Sequence, residues 1–374
     1  MKTATTVAFF SLVLSFASAT YADTFGSGST LFEIDFVTIG DPGNADDFTG
    51  DPNPAGKVDY IYRIGQFEIS EDMIDKANDQ SLSDGDPLGI TKDSRSSHKP
   101  ATSINWFEAA KFVNWLNTST GNTRAYKFDG GGNFQLWQSG DAGYDPNNLY
   151  RNTLAKYVLP SMDEWYKAAF YDATGGIYYD YTTGSNDFPD GLDFVGDLDF
   201  DIVVSEDVSI PEPNDITDVG LFSPYGTAGQ GGNVYEWEET DYDLVNDSFP
   251  APEVATRGYR GGAFSTDGVD FASYFRNTVV PVAGGISSGF RVASIAGPAV
   301  AGDFDGDFDV DGADFLILQQ GLGTIYDADD LDDWELNYGF GTVASSNTAV
   351  PEPTTCGLAL VAAMLCAIGR RRVH

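Results

Sequence analysis

The chain has 374 residues and a net charge of −37, with 57 acidic residues against 20 basic ones. Acidity on that scale repels phosphate backbones and anionic headgroups, which excludes nucleic acid as a partner. The only cysteines, Cys356 and Cys366, fall in the C-terminal tail, and the only histidines are His98 and His374, so the body of the chain has no disulfide, no zinc–thiolate site, no cysteine nucleophile and no multi-imidazole iron or zinc centre.

Residues 1–19 read as a signal peptide: Lys2, an apolar run from Val7 to Ala17, and the small-x-small site Ala17-Ser18-Ala19. Export is therefore expected, with a mature start near Thr20 or Asp23. The body that follows, with 42 glycines, 26 phenylalanines and 19 tyrosines, reads as many turns and short strands around an aromatic core. Asp-, Gly- and Pro-rich stretches over 41–53, 78–93 and 185–218 read as loops. Ser103 is placed to cap a helix whose apolar positions Trp106, Ala109, Ala110 and Val113 keep a 3.6-residue period. Ser161 and Glu164 form a Ser-x-x-Glu capping box ahead of Trp165, Ala168 and Ala169. Trp106, Trp165 and Trp237 are expected in the core.

Six segments over 58–293 occur in the order of one known family. They are Tyr62-Arg63-Ile64-Gly65-Gln66-Phe67-Glu68-Ile69-Ser70, read as its opening strand; Pro100–Ala110, read as its first helix; and Tyr157-Val158-Leu159-Pro160-Ser161-Met162-Asp163-Glu164-Trp165. Gly232-Asn233-Val234-Tyr235-Glu236-Trp237 follows, then Arg260-Gly261-Gly262-Ala263-Phe264 and Gly289-Phe290-Arg291. The segment 24–294 thus resembles the formylglycine-generating enzyme, or sulfatase-modifying factor, family. That resemblance implies an α+β, C-type-lectin-like fold of low regular secondary structure. The oxidases of this family hold copper on a cysteine pair after Arg-Gly-Gly-Ser, where this chain reads Ser265-Thr266-Asp267-Gly268-Val269-Asp270-Phe271-Ala272-Ser273. Thiolate chemistry needs a thiolate, and the iron-dependent relatives need histidines beyond His98, so neither a copper nor an iron site is expected. The resemblance also implies calcium on the carbonyls of Gly232 and Val234 and the carboxylate of Glu236, with Gly229 where the family has an asparagine ligand. The other reading of Asn233 and Glu236 is that they brace a buried turn.

Small residues over 295–302 read as a linker to an acidic module at 303–341. Asp303, Asp305, Asp307, Asp309, Asp311 and Asp314 stand at positions 1, 3, 5, 7, 9 and 12 of an EF-hand-type loop, followed by an apolar Phe315-Leu316-Ile317-Leu318 for the exiting helix. The loop resembles a type I dockerin repeat, which makes the module EF-hand-like, although Phe308 takes the turn position that favours Gly. An offset of 18 residues aligns Asp314 with Asp332 and reveals a second copy, whose loop retains Asp327, Asp329 and Asp332. With one intact loop, a calcium-stapled spacer is the expected role ahead of docking to a cohesin-like partner.

Residues 350–374 join Pro351-Glu352-Pro353 to a short apolar stretch and Arg370-Arg371-Arg372, resembling the PEP-CTERM sorting signal that an exosortase cleaves. The expectation is a protein sorted to the cell surface or extracellular matrix and transiently anchored by that tail. It would be a non-catalytic, calcium-dependent binder of an extracellular ligand such as a polysaccharide. The alternative is a sulfatase-modifying oxidoreductase or another enzyme of the family, and the missing cysteines weigh against catalysis.

Overall fold

Over Phe32–Ile39 the side chains of Phe32, Ile34 and Phe36 are buried while Glu33 and Asp35 are exposed, the two-residue period of a strand with one face on a core. The computed structural model describes residues 20–206, 209–266, 268–295, 301–304, 310–323 and 326–339. The signal peptide, most of the linker, Asp305, Asp307, Asp309 and the sorting signal with Pro351, Glu352 and Pro353 lie outside the described residues.

The elements in chain order are β1 (Thr20–Phe25), β2 (Phe32–Ile39), β3 (Tyr62–Gly65), α1 (Glu71–Asp84), α2 (Trp106–Ser119), β4 (Lys127–Phe128), β5 (Phe134–Gln135), β6 (Tyr157–Val158) and α3 (Met162–Phe170). There follow β7 (Tyr171–Asp172), β8 (Ile177–Tyr178), β9 (Tyr235–Asp241), β10 (Arg257–Arg260), β11 (Asn277–Val279), β12 (Ser288–Gly289), β13 (Ala293–Ile295), α4 (Gly312–Gly321) and α5 (Ala328–Asn337). One sheet runs β1-β2-β3-β13-β6, antiparallel throughout. A second runs β11-β10-β9-β12, with β12 parallel to β9. Trp106 and Trp237 lie fully buried in a large aromatic core that includes Phe36, Phe112, Tyr126 and Phe290; Trp165 packs in a second cluster with Tyr166 and Phe170. The fold is α+β with short elements.

Three sequence readings change here. Tyr62–Gly65 does not open the sheet, because the β1–β2 hairpin precedes it and β1 begins at Thr20, ahead of the boundary read at residue 24. Asp23 explains why those residues belong. Buried Arg63 donates from both terminal nitrogens to its carboxylate, at 3.0 and 2.8 Å, and Tyr157 adds a hydroxyl bond at 2.6 Å. Burial alone would raise the Asp23 carboxyl, but the Arg63 charge and these bonds hold it below the usual carboxylate range.

The stretch 78–84, read as loop, forms the last turns of α1. Ser70 caps that helix on the Met73 N–H at 3.3 Å, and Gly85 closes it in the left-handed conformation at φ 84°. The cap of α2 is Asn105, not Ser103, with the reciprocal bonds of a capping box to Glu108; Ser103 sits in a left-handed turn at φ 62° two residues too early. The box of Ser161 and Glu164 forms as read.

In the C-terminal segment, α4 and α5 pack through Phe315 and Trp334, whose rings lie 4.6 Å apart, with the Trp334 indole N–H on the Asp311 carbonyl at 2.8 Å. Buried Asp314 accepts the N–H groups of Phe304 (2.7 Å) and Asp311 (2.8 Å), tying the two ends of the acidic loop together.

Asp23→Ala removes the carboxylate from a buried guanidinium and should cost about 3 kcal/mol, seen as a fall of about 6–12 °C in Tm. Asp23→Asn should recover part of the loss, and a chain starting at Thr24 should match Asp23→Ala or do worse. An unchanged melting curve for that truncation would mean that β1 adds nothing to the sheet.

Candidate functional site

Strand β9 reads Tyr-Glu-Trp-Glu-Glu-Thr-Asp, and every one of its residues but Thr240 is buried. Four carboxylates on a buried strand would be ruinous unpaired, and each has a basic partner. Glu236 takes both Arg291 donors at 2.6 Å and the Trp165 indole N–H at 2.7 Å. Glu238 bridges Arg260 (2.7 Å) and Arg276 (2.9 Å). Glu239 accepts from Arg151, Tyr126 and Asn148, each at 2.7 Å. Asp241 accepts from Tyr150 at 3.0 Å and lies 3.7 Å from Arg257, whose guanidinium sits over the rings of Trp106 and Tyr150. Arg151 also forks onto Glu164 at 2.9 and 3.0 Å. Burial would raise the Glu164 carboxyl, but Arg151 and the Tyr60 hydroxyl outweigh it and hold it low.

The segment ahead of β9 is a turn in which Gly232 (φ 86°) and Asn233 (φ 58°) are both left-handed. A side chain at 232 would meet the Val203 carbonyl at 2.4 Å, so only glycine fits. The implied calcium site does not fit this geometry. Glu236 lies under a guanidinium that already engages both of its oxygens, and a divalent cation there would face that charge at contact distance. Among the described residues no group of three or more His, Cys, Asp or Glu side chains is placed to hold a metal ion. Gly232, Val234 and Glu236 thus brace a turn. Of the acidic loop, Asp303, Asp311 and Asp314 fall together around the α4 N-terminus, and the central positions lie outside the described residues.

Sequence reasoning missed Glu68. A Cβ on Gly229, where the family has its asparagine, would lie 2.6–2.7 Å from the Glu68 carboxylate, so this carboxylate fills the space a side chain at 229 would take. It is 1 % exposed; Oε1 accepts from the Asn233 amide at 2.9 Å and Oε2 has no partner. Burial, with the Glu236 charge adding and Arg291 opposing, pushes its pKa up to about 8.

Where the family's oxidases carry cysteines, Phe271 and Ala272 pack into a small cluster with Tyr181, Ile202 and Val204. The Phe188 ring stands 5.4 Å from Phe271, and the Tyr235 hydroxyl donates to Asp270. Phe188 belongs to the loop over 187–206, which also carries exposed Phe194, Val195 and Leu198 among Asp187, Asp190, Asp193 and Asp199. The chemistry on offer is hydroxyl, carboxylate and apolar contact.

Short strands, capped helices and a charged strand sealed inside an aromatic core define a domain of the formylglycine-generating-enzyme type, here without its thiols. Residues 49–296 match the sulfatase-modifying factor enzyme 1-like domain, and the chain belongs to that family. Among solved structures it is similar to Treponema denticola variable protein 1, at 19 % identity and a TM-score of 0.50 over 73 % of this chain and 98 % of that one. It is similar to CarF at 16 % identity and a TM-score of 0.50, over 70 % and 98 % of the two chains. At these identities the likeness is one of fold. No curated protein sequence matches significantly.

A carboxyl with a raised folded pKa binds its proton more tightly in the native state, so its contribution to stability falls as pH rises from its ordinary value of 4.5 to about 8. Glu68→Gln should flatten the stability–pH curve over that window and raise Tm at about pH 8 by several degrees. A lower Tm at both ends of the window would mean that the charged form is the one the fold needs.

Proposed function

We propose that this protein is exported and held at the cell surface or in the extracellular matrix, where its family domain binds an extracellular ligand without catalysing a reaction. The observation that carries the reading is the segment 265–273: it brings Phe271 and Ala272 into an apolar cluster and supplies no sulfur, while exposed Phe188 packs against Phe271 from a loop rich in carboxylates. A rim of exposed aromatic and acidic side chains on loops is suited to contact and ill suited to thiol oxidation. Polysaccharide is the first ligand class to test, since aromatic faces and carboxylates are the groups that hold sugar rings. The sorting reading rests on the Ala17-Ser18-Ala19 site and on Pro351-Glu352-Pro353 with its basic end, which an exosortase would process.

Calcium belongs in the C-terminal loop on this reading, held by Asp303, Asp305, Asp307, Asp309, Asp311 and Asp314. Buried Asp314, which ties Phe304 to Asp311, supports it, because a loop already closed on its last ligand loses less entropy on binding. The second copy, with three acidic positions left, favours a spacer over cohesin docking.

Incubation with a Cys-x-Pro-x-Arg peptide, oxygen and copper should leave the peptide mass unchanged; a loss matching conversion of cysteine to formylglycine would establish the oxidase instead. Binding of the protein spanning Thr20–Ser345 to an array of extracellular polysaccharides should pick out one glycan class.

Chelation should lower the melting temperature of the C-terminal segment and leave the family domain unmoved. At calcium about 100-fold above Kd the difference should be about 2.7 kcal/mol. Asp303→Ala with Asp305→Ala should abolish it, and calorimetry showing no calcium uptake by the wild type would remove calcium from the proposal.

A further inference from the structure

Between the hairpin of β4 and β5, with the residues just after it, and the loop over 251–253 lies an open cleft of about 430 Å³. Both of its walls are held from beneath by one buried cluster. Phe134 packs edge-on against Trp106 and Tyr150, with ring centres 5.3 and 5.5 Å away. The Arg257 guanidinium lies over the same two rings and donates to the carbonyls of Ala255 (2.7 Å) and Pro252 (3.1 Å). The shape of the cleft is thus set by the core beneath it, the preorganisation that lowers the cost of binding.

The walls mix two kinds of surface. Phe134, Leu136 and Pro252 supply apolar contact; Gln135, Gln138, Glu253 and Lys127 supply hydrogen-bonding groups. Each glutamine amide spends one N–H on a neighbouring carbonyl, Gln135 on Phe134 at 2.9 Å and Gln138 on Leu136 at 3.3 Å. That leaves the amide oxygen and the second N–H of each for a ligand. Glu253 is exposed and unpaired among the described residues. Lys127 is bound to Asp141 at 2.5 Å, which uses one of its three ammonium protons.

We propose that this cleft binds a neutral sugar, with a ring face on Leu136 and Pro252 and the hydroxyls on Gln135, Gln138 and Glu253. A hydroxyl both donates and accepts, and the groups left over here are donors and acceptors side by side. The C–H face of a sugar ring needs an apolar wall, which the same cleft provides. Lys127 opposes a cation, and Asp141 with Glu253 opposes an anion. A divalent metal would need more ligands than one unpaired carboxylate, and no group of three metal-binding side chains forms among the described residues. The volume falls within the span of roughly 300–1,000 Å³ usual for small-molecule sites. The cleft shares no residue with the face over 265–273, and its ligand class follows from its own walls.

The full-length folded protein is titrated by calorimetry with glucose, maltose, cellobiose, lactose and N,N′-diacetylchitobiose. Cyclohexanol serves as a ring with a single hydroxyl, and glucosamine and glucuronate as charged counterparts of glucose. The expected result is saturable binding of at least one neutral sugar, about tenfold or more tighter than cyclohexanol. A soluble polymer of that sugar binding at least as tightly assigns a polysaccharide chain, and binding of the small sugar alone assigns a free one. Glu253→Ala and Gln135→Ala should each weaken binding by about tenfold. Neither side chain ties the cleft to another element, so both variants should melt with the wild type. Glu33→Ala, an exposed carboxylate outside the cleft, should leave binding unchanged. Sugar binding that survives both cleft variants would overturn this site and leave the ligand reading of the domain standing. Cyclohexanol binding as tightly as the sugar would reduce the cleft to an apolar crevice, and glucosamine or glucuronate binding about tenfold tighter than glucose would make it a charge site. Either result, or no saturable binding of any neutral sugar, overturns the proposal.

Discussion

Everything around β9 is arranged to bring a guanidinium to a carboxylate in a place water cannot reach. Arg151, Arg257, Arg260, Arg276 and Arg291 come from five separate positions along the chain, and each converges on Glu236, Glu238, Glu239 or Asp241. Such pairs are not the most stabilising way to fill a core; an apolar cluster of equal volume would do as well or better. Their effect is on uniqueness. Shifting β9 by one residue would turn every side chain to the opposite face and strand several charges without partners, so the register of the second sheet is fixed by electrostatics as much as by packing.

The same pairing leaves the net charge of the outside intact. Arg63 and these five each take a carboxylate inward with them, so the excess of acidic residues stays on the exterior. A surface of that kind stays dispersed at high concentration and selects cationic partners over anionic ones. The exposed Glu33 and Asp35 on β2 and the carboxylates along the 187–206 loop belong to this exterior.

What could be read from the chain beforehand followed the range of the interactions involved. The Ser161–Glu164 box, the three core tryptophans and the glycine-rich turn before β9 are set by neighbours a few residues away, and they were legible. α1 was not read as a helix because its face is mostly polar: Ile74, Ala77 and Ser81 are buried, too few to mark a period. The cap of α2 was placed two residues early because Ser103 and Asn105 are both cap residues, and only the turn that throws Ser103 into the left-handed region decides between them. The partners of Glu236 and Glu68 were beyond reach, since Arg291 and Asn233 are distant in sequence and the family pattern points instead to a metal. A glycine at 229 reads as a lost ligand in the sequence; in three dimensions it is the room another carboxylate needs.

Strand β13 is the last of the domain to be made, yet it lies in the middle of the first sheet, between β3 and β6. Synthesis runs from the N-terminus, so β1, β2 and β3 must wait with one edge open until Ala293–Ile295 emerges more than two hundred residues later. Contacts so far apart in sequence close slowly. For most of its synthesis the chain is therefore an unfinished sheet with an exposed edge, vulnerable to pairing with a neighbour. Its three-residue final strand is the latch that ends that vulnerability.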